Sequence, residues 1–252
     1  MDIFAGFVDS PKLYITAMRL TFLFSTPLFI FAVYVIITAS LSEPSLYKWF
    51  PLYQVCLYYI SDILAGPGLT PILYLPLLGG YPAGALRYFG IPSTIFLGAS
   101  YVIYFCKALS VAMLFYIRYD AILPRHYPIK PNRSCIFALF GAHHLTIVIL
   151  TPIVLYNIVP DQAVVKRRVL QDYPSAPPSI SLPEALFIEA PFGASLLIVL
   201  VYLVPPLLIV SSSTYTVSHS LYYLRKQKVS LSSKALAMQR AILYGTIAEV
   251  RR

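Results

Sequence analysis

The chain has 252 residues, 58% of them hydrophobic and 12% charged, with a mean hydropathy of +0.73 and a net charge of +9. An ordinary soluble domain carries about 25% charged residues, so a water-soluble fold is excluded for want of polar surface and a polytopic membrane protein is expected. The Lys and Arg residues fall in the gaps between apolar runs, not in one patch, which excludes nucleic acid as the partner that the charge serves.

The apolar runs follow one another along the chain. The first starts at Leu13, is too long for a signal-peptide core and lacks a small-residue cleavage site, so it is an uncleaved span. A helix needs about 20 apolar residues to cross the hydrocarbon core. That length places spans at residues 20–41, 51–78, 93–117, 135–158 and 192–217. A sixth apolar run, 235–247, is roughly 20 Å of helix at about 1.5 Å per residue, short of a full crossing. The expected fold is all-α: a single transmembrane bundle domain over residues 1–252, with five full spans and a partial sixth.

Between the second and third spans lies "GGYPAGALRYFGIPS", Gly79 to Ser93. Its Gly-Tyr-Pro and Gly-Ile-Pro clusters are turn chemistry. A phosphate-binding loop needs a preceding strand and a Gly-Lys-Ser/Thr ending, which this stretch lacks. Pro27, Pro71, Pro76, Pro152, Pro205 and Pro206 fall inside the expected spans, where each removes a backbone donor and bends its helix. The three cysteines, Cys56, Cys106 and Cys135, lie in or beside apolar runs with no zinc spacing, and none lies in the 159–191 loop to tether it.

Loop charge gives the orientation. Lys48, Arg118, Arg125, Lys130, Arg133, Arg225, Lys226, Lys228, Lys234 and Arg240 fall on one side; Lys12, Arg19, Arg87, Lys166, Arg167 and Arg168 fall on the other. The ten-to-six excess puts the N-terminus outside. The sequon Asn132-Arg133-Ser134 then lies in the cytosol, beyond the reach of glycosylation.

Ionisable residues inside a bilayer are rare and mark function. Asp62 in span two and Lys107 in span three each lie about 17 Å above the cytosolic edge, counted at about 1.5 Å per residue. They form an expected ion pair, because a lysine stem of about 6 Å is too short to snorkel from mid-membrane. His143 and His144 in span four fall in the same layer, roughly 12–14 Å up. Being adjacent on a helix they point about 100° apart and cannot share a face. No second pair of ligands lies near them, so no metal site is expected. No catalytic set appears either: no nucleophile elbow, no HExxH, no paired carboxylates on one helix. The chain is expected to be neither an enzyme nor a holder of a cofactor.

Several stretches together resemble one family. They are "STPLFIFAVYVI" followed by "SLYKWFPLYQVCLYYISDIL", then "TPILYLPLLGGYPAGALRYFGIPS", "LFYIRY" and "SSKALAMQRAIL". The pattern is similar to the nematode serpentine chemoreceptors, class H or a closely related class, over roughly residues 12–247. The resemblance implies a rhodopsin-like seven-helix G-protein-coupled receptor in the plasma membrane of sensory-neuron cilia. Its partners would be the lipid bilayer, a small environmental ligand and a heterotrimeric G protein. Arg118 stands where the family closes its third span, and Gln239 where it enters its sixth. Arg118, Tyr119, Arg225, Lys226, Lys228 and Gln239 are the coupling candidates so implied. Departures are Tyr116 and Ile117 where an acidic and a polar residue are common, and Ala235 where threonine is common. The rest of span six and a seventh span are not in the sequence, so a C-terminally truncated receptor is expected. Two other readings stay open: a small-solute transporter, for which Gly66-Pro67-Gly68 is the kind of helix interruption required but no internal repeat is evident, and an inactive truncated product.

Overall fold

The computed structural model describes residues 4, 6–39, 45–75, 77–124, 127, 130, 132–189 and 203–226. Among them are six α-helices and one three-stranded sheet. Helices α1 (Lys12–Ala39), α2 (Ser45–Ile63), α3 (Ser93–Ile122), α4 (Arg133–Ile158) and α6 (Val204–Lys226) make the bundle. The short α5 (Gln162–Asp172) and strands β1 (Pro71–Leu73), β2 (Gly79–Pro82) and β3 (Leu186–Phe187) lie at one end of it. Residues 192–202 of the expected fifth span, and all of the expected partial sixth at 235–247, lie outside the described residues.

The solvent of this bundle is lipid. On α1, Leu23, Phe24, Leu28 and Phe31 are all more than half exposed, an apolar surface that water does not tolerate. Helices α1, α3 and α4 are each long and apolar enough to cross a membrane. Helix α3 is the central one: it packs against α2, α4 and α6, and buries Phe105, Leu109 and Met113. In lipid such contacts hold by close packing and not by the hydrophobic effect, because acyl chains are as apolar as the side chains.

The second span ends earlier than its apolar run. The sequence predicts helix to Leu78, but α2 stops at Ile63 and passes into a single π-helical turn, Leu64–Leu69. Pro67 has no N–H to donate, and it is flanked by two glycines. The turn closes at Thr70, whose φ of +41° is an outlier for a β-branched residue. Three bonds hold it there: its N–H to the Ala65 and Gly66 carbonyls, 3.1 Å each, and its hydroxyl to the Gly66 carbonyl at 2.6 Å. Pro71 consequently opens a strand and kinks no helix. Pro27 and Pro152 do lie within helices, α1 and α4, while Pro205 and Pro206 fall in the first turn of α6, where proline is tolerated. Pro76 lies outside the described residues.

The chain beyond α2 builds a cap. β1 pairs antiparallel with β2, Ile72 opposite Tyr81, and β2 pairs with β3, Gly80 opposite Leu186. The sheet can close only because of its glycines: a Cβ on Gly80 would strike the Ile72 carbonyl oxygen. Helix α5 is capped by Asp161, whose carboxylate accepts from the Ala163 N–H at 2.9 Å, and it turns Val165 and Val169 inward, four residues apart. Phe4, Ile72, Tyr74, Tyr81, Ile180 and Phe187 join these valines in one core. Here water is the reference, so burying each large apolar side chain contributes about 1.5–3 kcal/mol. The Tyr74 ring stacks on Phe187 with centroids 5.6 Å apart. Its hydroxyl donates to Ser179 Oγ at 2.9 Å, Ser179 donates to the Asp9 carboxylate, and Tyr81 donates to the Asp9 carbonyl. Burial pushes both phenols above their ordinary pKa, Asp9 adding to the shift in each; the Ser179 hydrogen bond partly offsets it for Tyr74 and Arg87 does so for Tyr81. The N-terminal segment, the 71–92 segment and the 159–189 segment are thus one packed unit. The long fourth-to-fifth connection is held by β3 and this core; the three cysteines are free.

Candidate functional site

The polar layer within the bundle is built where α2 faces α3. Lys107 on α3 donates to Ser61 Oγ at 3.1 Å and rests over the Tyr58 ring, 4.5 Å from its centroid. This corrects the expected Asp62–Lys107 ion pair, since the ammonium is bound by a hydroxyl and a π face and the two charges stand beyond ion-pair distance. The cause is helical phase. Ser61 occupies the side of α2 that meets α3, and Asp62, about 100° further round, turns elsewhere. Asp62 lines an open groove of 590 Å³ between α1 and α2, with Ser25, Gln54, Tyr58 and Tyr59 among its walls and Arg118 at its far end.

A second polar contact joins α2 to α4. Tyr53 and His144 meet at 2.9 Å between the hydroxyl and Nε2, and His144 Nδ1 lies 2.8 Å from the Phe140 carbonyl. A carbonyl only accepts, so Nδ1 carries a proton; in the neutral ring Nε2 then accepts from Tyr53. The Cys106 thiol of α3 reaches the same Tyr53 hydroxyl. His143, one position round the helix, is half-buried, and its Nε2 has no hydrogen-bond partner among the described residues. His/Cys/Asp/Glu groups of three or more that could hold a metal are absent among the described residues.

The opposite end from the cap gathers the other candidates. Arg118 and Tyr119 sit on the last turns of α3, Arg118 partly exposed and Tyr119 buried. Tyr119 meets His219 of α6 edge-on, with centroids 5.6 Å apart. His219 is also ringed by Tyr127 and Tyr215, and its Nε2 is 3.3 Å from the Tyr127 hydroxyl. Arg225 and Lys226 are exposed in the last turn of α6, where cations favour the negative end of the helix dipole. Lys228 and Gln239 lie outside the described residues.

Asp120 is the residue here that sequence reasoning missed. It is 5% exposed, and its carboxylate takes Lys130 Nζ at 3.0 Å and Arg133 at 2.5 Å. Lys130 also donates to the backbone carbonyls of Asp120 and Leu123. The loop after α3 is thereby clamped to the end of that helix. The available signal was an acid closing an apolar run, with two cations 10 and 13 residues on. Those cations were counted for orientation alone.

The profile of the family described as serpentine type 7TM GPCR chemoreceptor Srh matches residues 9–250. No curated protein and no solved structure matches the chain. A helical membrane bundle with a packed cap, and a match spanning nearly its whole length, leave one assignment: the chain belongs to the Srh family of serpentine seven-transmembrane chemoreceptors.

Proposed function

We propose that this protein is a plasma-membrane chemosensory receptor, N-terminus outside, that couples a small environmental ligand to a heterotrimeric G protein. One observation carries the coupling reading. At the end of the bundle away from the cap, Tyr119 meets His219 of α6, Asp120 holds the loop after α3 through Lys130 and Arg133, and Arg118 and the cationic last turn of α6, Arg225 and Lys226, lie at the same end. That is a basic rim around a junction of α3, α6 and the loop after α3, and it suits an acidic protein surface. The ten-to-six charge excess supports placing this end in the cytosol. The cap of Phe4, Tyr74 and Phe187 then faces outward.

The test is guanine-nucleotide exchange on a purified heterotrimer, driven by the full chain in lipid nanodiscs and screened against a panel of small organic compounds. Ligand-dependent exchange that falls in Arg118→Ala and in Arg225→Ala/Lys226→Ala supports the reading. Exchange that never rises above empty nanodiscs with any compound, or that is unaltered by those variants, refutes it.

A further inference from the structure

We propose that the groove between α1 and α2 binds a lipophilic primary or secondary amine, with the ammonium on Asp62 and the apolar body along the groove. This deepens the receptor reading by naming a ligand class. Three observations carry it.

The first is an unpaired charge. Asp62 makes no ion pair and no hydrogen bond among the described residues. A carboxylate within a bilayer is costly unless a partner meets it. The nearest cation on α3, Lys107, is engaged by Ser61 and by one face of Tyr58. Tyr58 belongs to the groove wall and Lys107 does not. At the Asp62 end the groove therefore presents an anion, with Lys107 behind an aromatic ring and the Arg118 cation at the other end.

The second is an idle acceptor. Ser25 Oγ is buried and has no hydrogen-bond partner among the described residues. Helical hydroxyls usually return to the carbonyl one turn back. Thr26 and Thr38 on the same helix do so, at 2.8 and 2.7 Å. Ser25 does not; the residue lines the groove, and a rotation about χ1 brings its covered hydroxyl to the groove. The bond between Thr26 Oγ1 and the Tyr59 hydroxyl, 3.0 Å, sets the antiparallel register of α1 and α2. That register puts Ser25 and Asp62 at nearly the same depth, two residues or about 3 Å apart along the helix axes.

The third is the wall. Phe29 stacks on Tyr59 with centroids 4.1 Å apart and planes 6° from parallel. Leu28, Ala32 and Val55 extend the surface below. A cavity of 590 Å³ is in the usual range for a small ligand, about 300–1,000 Å³. Two oxygen acceptors beside aromatic faces select a cation that carries N–H donors, and the apolar wall selects a hydrocarbon body. A quaternary ammonium has no N–H for Ser25; an alcohol has no charge for Asp62.

The test is direct binding of tritiated octylamine to the full chain in lipid nanodiscs, with empty nanodiscs subtracted. No G protein is present, so failure of binding and failure of coupling are read separately. Saturable binding of about one amine per chain is expected, displaced by decylamine but not by octan-1-ol, octanoic acid or octyltrimethylammonium at equal concentration. Asp62→Asn should weaken binding by tenfold or more. Ser25→Ala, which removes an unpartnered hydroxyl and so spares the fold, should weaken it by about tenfold, as expected at the low end for one hydrogen bond to a charged group. Non-saturable uptake, equal displacement by octan-1-ol, or unchanged affinity in Ser25→Ala overturns the proposal, and so does unchanged affinity in a folded Asp62→Asn.

Discussion

Arg133 grips Asp120 across a loop: its Nη2 and Nε stand 2.5 and 2.6 Å from one carboxylate oxygen, Oδ2. Lys130 takes the other oxygen at 3.0 Å. The two cations are unequal. Lys130 is 14% exposed and Arg133 57%. Removing the buried carboxylate leaves a largely buried ammonium with two backbone carbonyls and no counter-charge, which costs about 3 kcal/mol. Removing the exposed guanidinium costs at most about 1 kcal/mol. Thermal unfolding of the detergent-solubilised chain should therefore show a large drop for Asp120→Ala and a small one for Arg133→Ala. Equal drops would mean that the clamp does not rest on the buried pair.

Lys107 gives the contrasting case. Its partners are a hydroxyl and a ring, and a methionine reaches the same Tyr58 face. Lys107→Met should cost about 1 kcal/mol, the net worth of one hydrogen bond. The same melting experiment decides it. A loss as large as that of Asp120→Ala would mean that Lys107 answers Asp62 after all.

Two glycines in one segment should respond differently to alanine. A Cβ on Gly84 would drive into the Gly68 carbonyl group, where the segment after β2 crosses the π-helical turn. That contact is backbone on both sides and cannot yield, so Gly84→Ala should open the cap. Gly90 has open space around it and only its φ of +65° to satisfy, worth about 1–2 kcal/mol. Limited proteolysis of proteoliposomes should cut the 71–92 segment rapidly in Gly84→Ala and near the wild-type rate in Gly90→Ala.

The cap should fail in alkali. Tyr74 and Tyr81 hold their protons above the ordinary phenol value because burial disfavours the phenolate, and Tyr74 donates its proton to Ser179. A raised pKa in the folded state gives stability that is fully present below the unfolded value of about 10 and lost as pH climbs past it. Protease resistance of the cap should be flat from pH 7 to about pH 9.5 and then fall. Tyr81→Phe, lacking one titrating group, should make that fall shallower.

Sidedness is open to a glycan test. Asn132 caps α4, its side-chain oxygen accepting from the Ser134 N–H at 2.9 Å. If that end is cytosolic, its sequon stays bare when the chain is expressed in cells. Asp161→Asn with Ala163→Thr creates a sequon on the cap while keeping a capping side chain before α5. Glycosidase digestion should shift the mobility of that variant and leave the unaltered chain unmoved. The opposite result inverts the orientation.

The bundle was legible because lipid demands apolar side chains all round a helix, which leaves long runs in the sequence. The same runs misled at residues 71–78. Ile72 and Tyr74 are apolar because α5 and the N-terminal segment cover them, not because lipid does, and composition does not distinguish the two covers. Helix α5 was hidden for the converse reason: only Val165 and Val169 face inward, and the rest of the helix is polar enough to pass for loop. Asp62 and Lys107 were legible as residues inside the membrane, but their pairing was not. A single step along α2 swings a side chain by about 100°, and no count of depth contains that angle. The His219 surroundings come from Tyr119, Tyr127 and Tyr215, two of them about a hundred residues away in sequence, so no local pattern announces them.

Tyr74 and Ile180 are wholly sealed in the cap, whereas the groove beside Asp62 is open between two helices. An amine bound there as proposed must first dissolve among acyl chains. Potency would then track oil–water partitioning more closely than concentration in the surrounding fluid, and a stimulus would outlast its rinse by the time needed to leach from the bilayer.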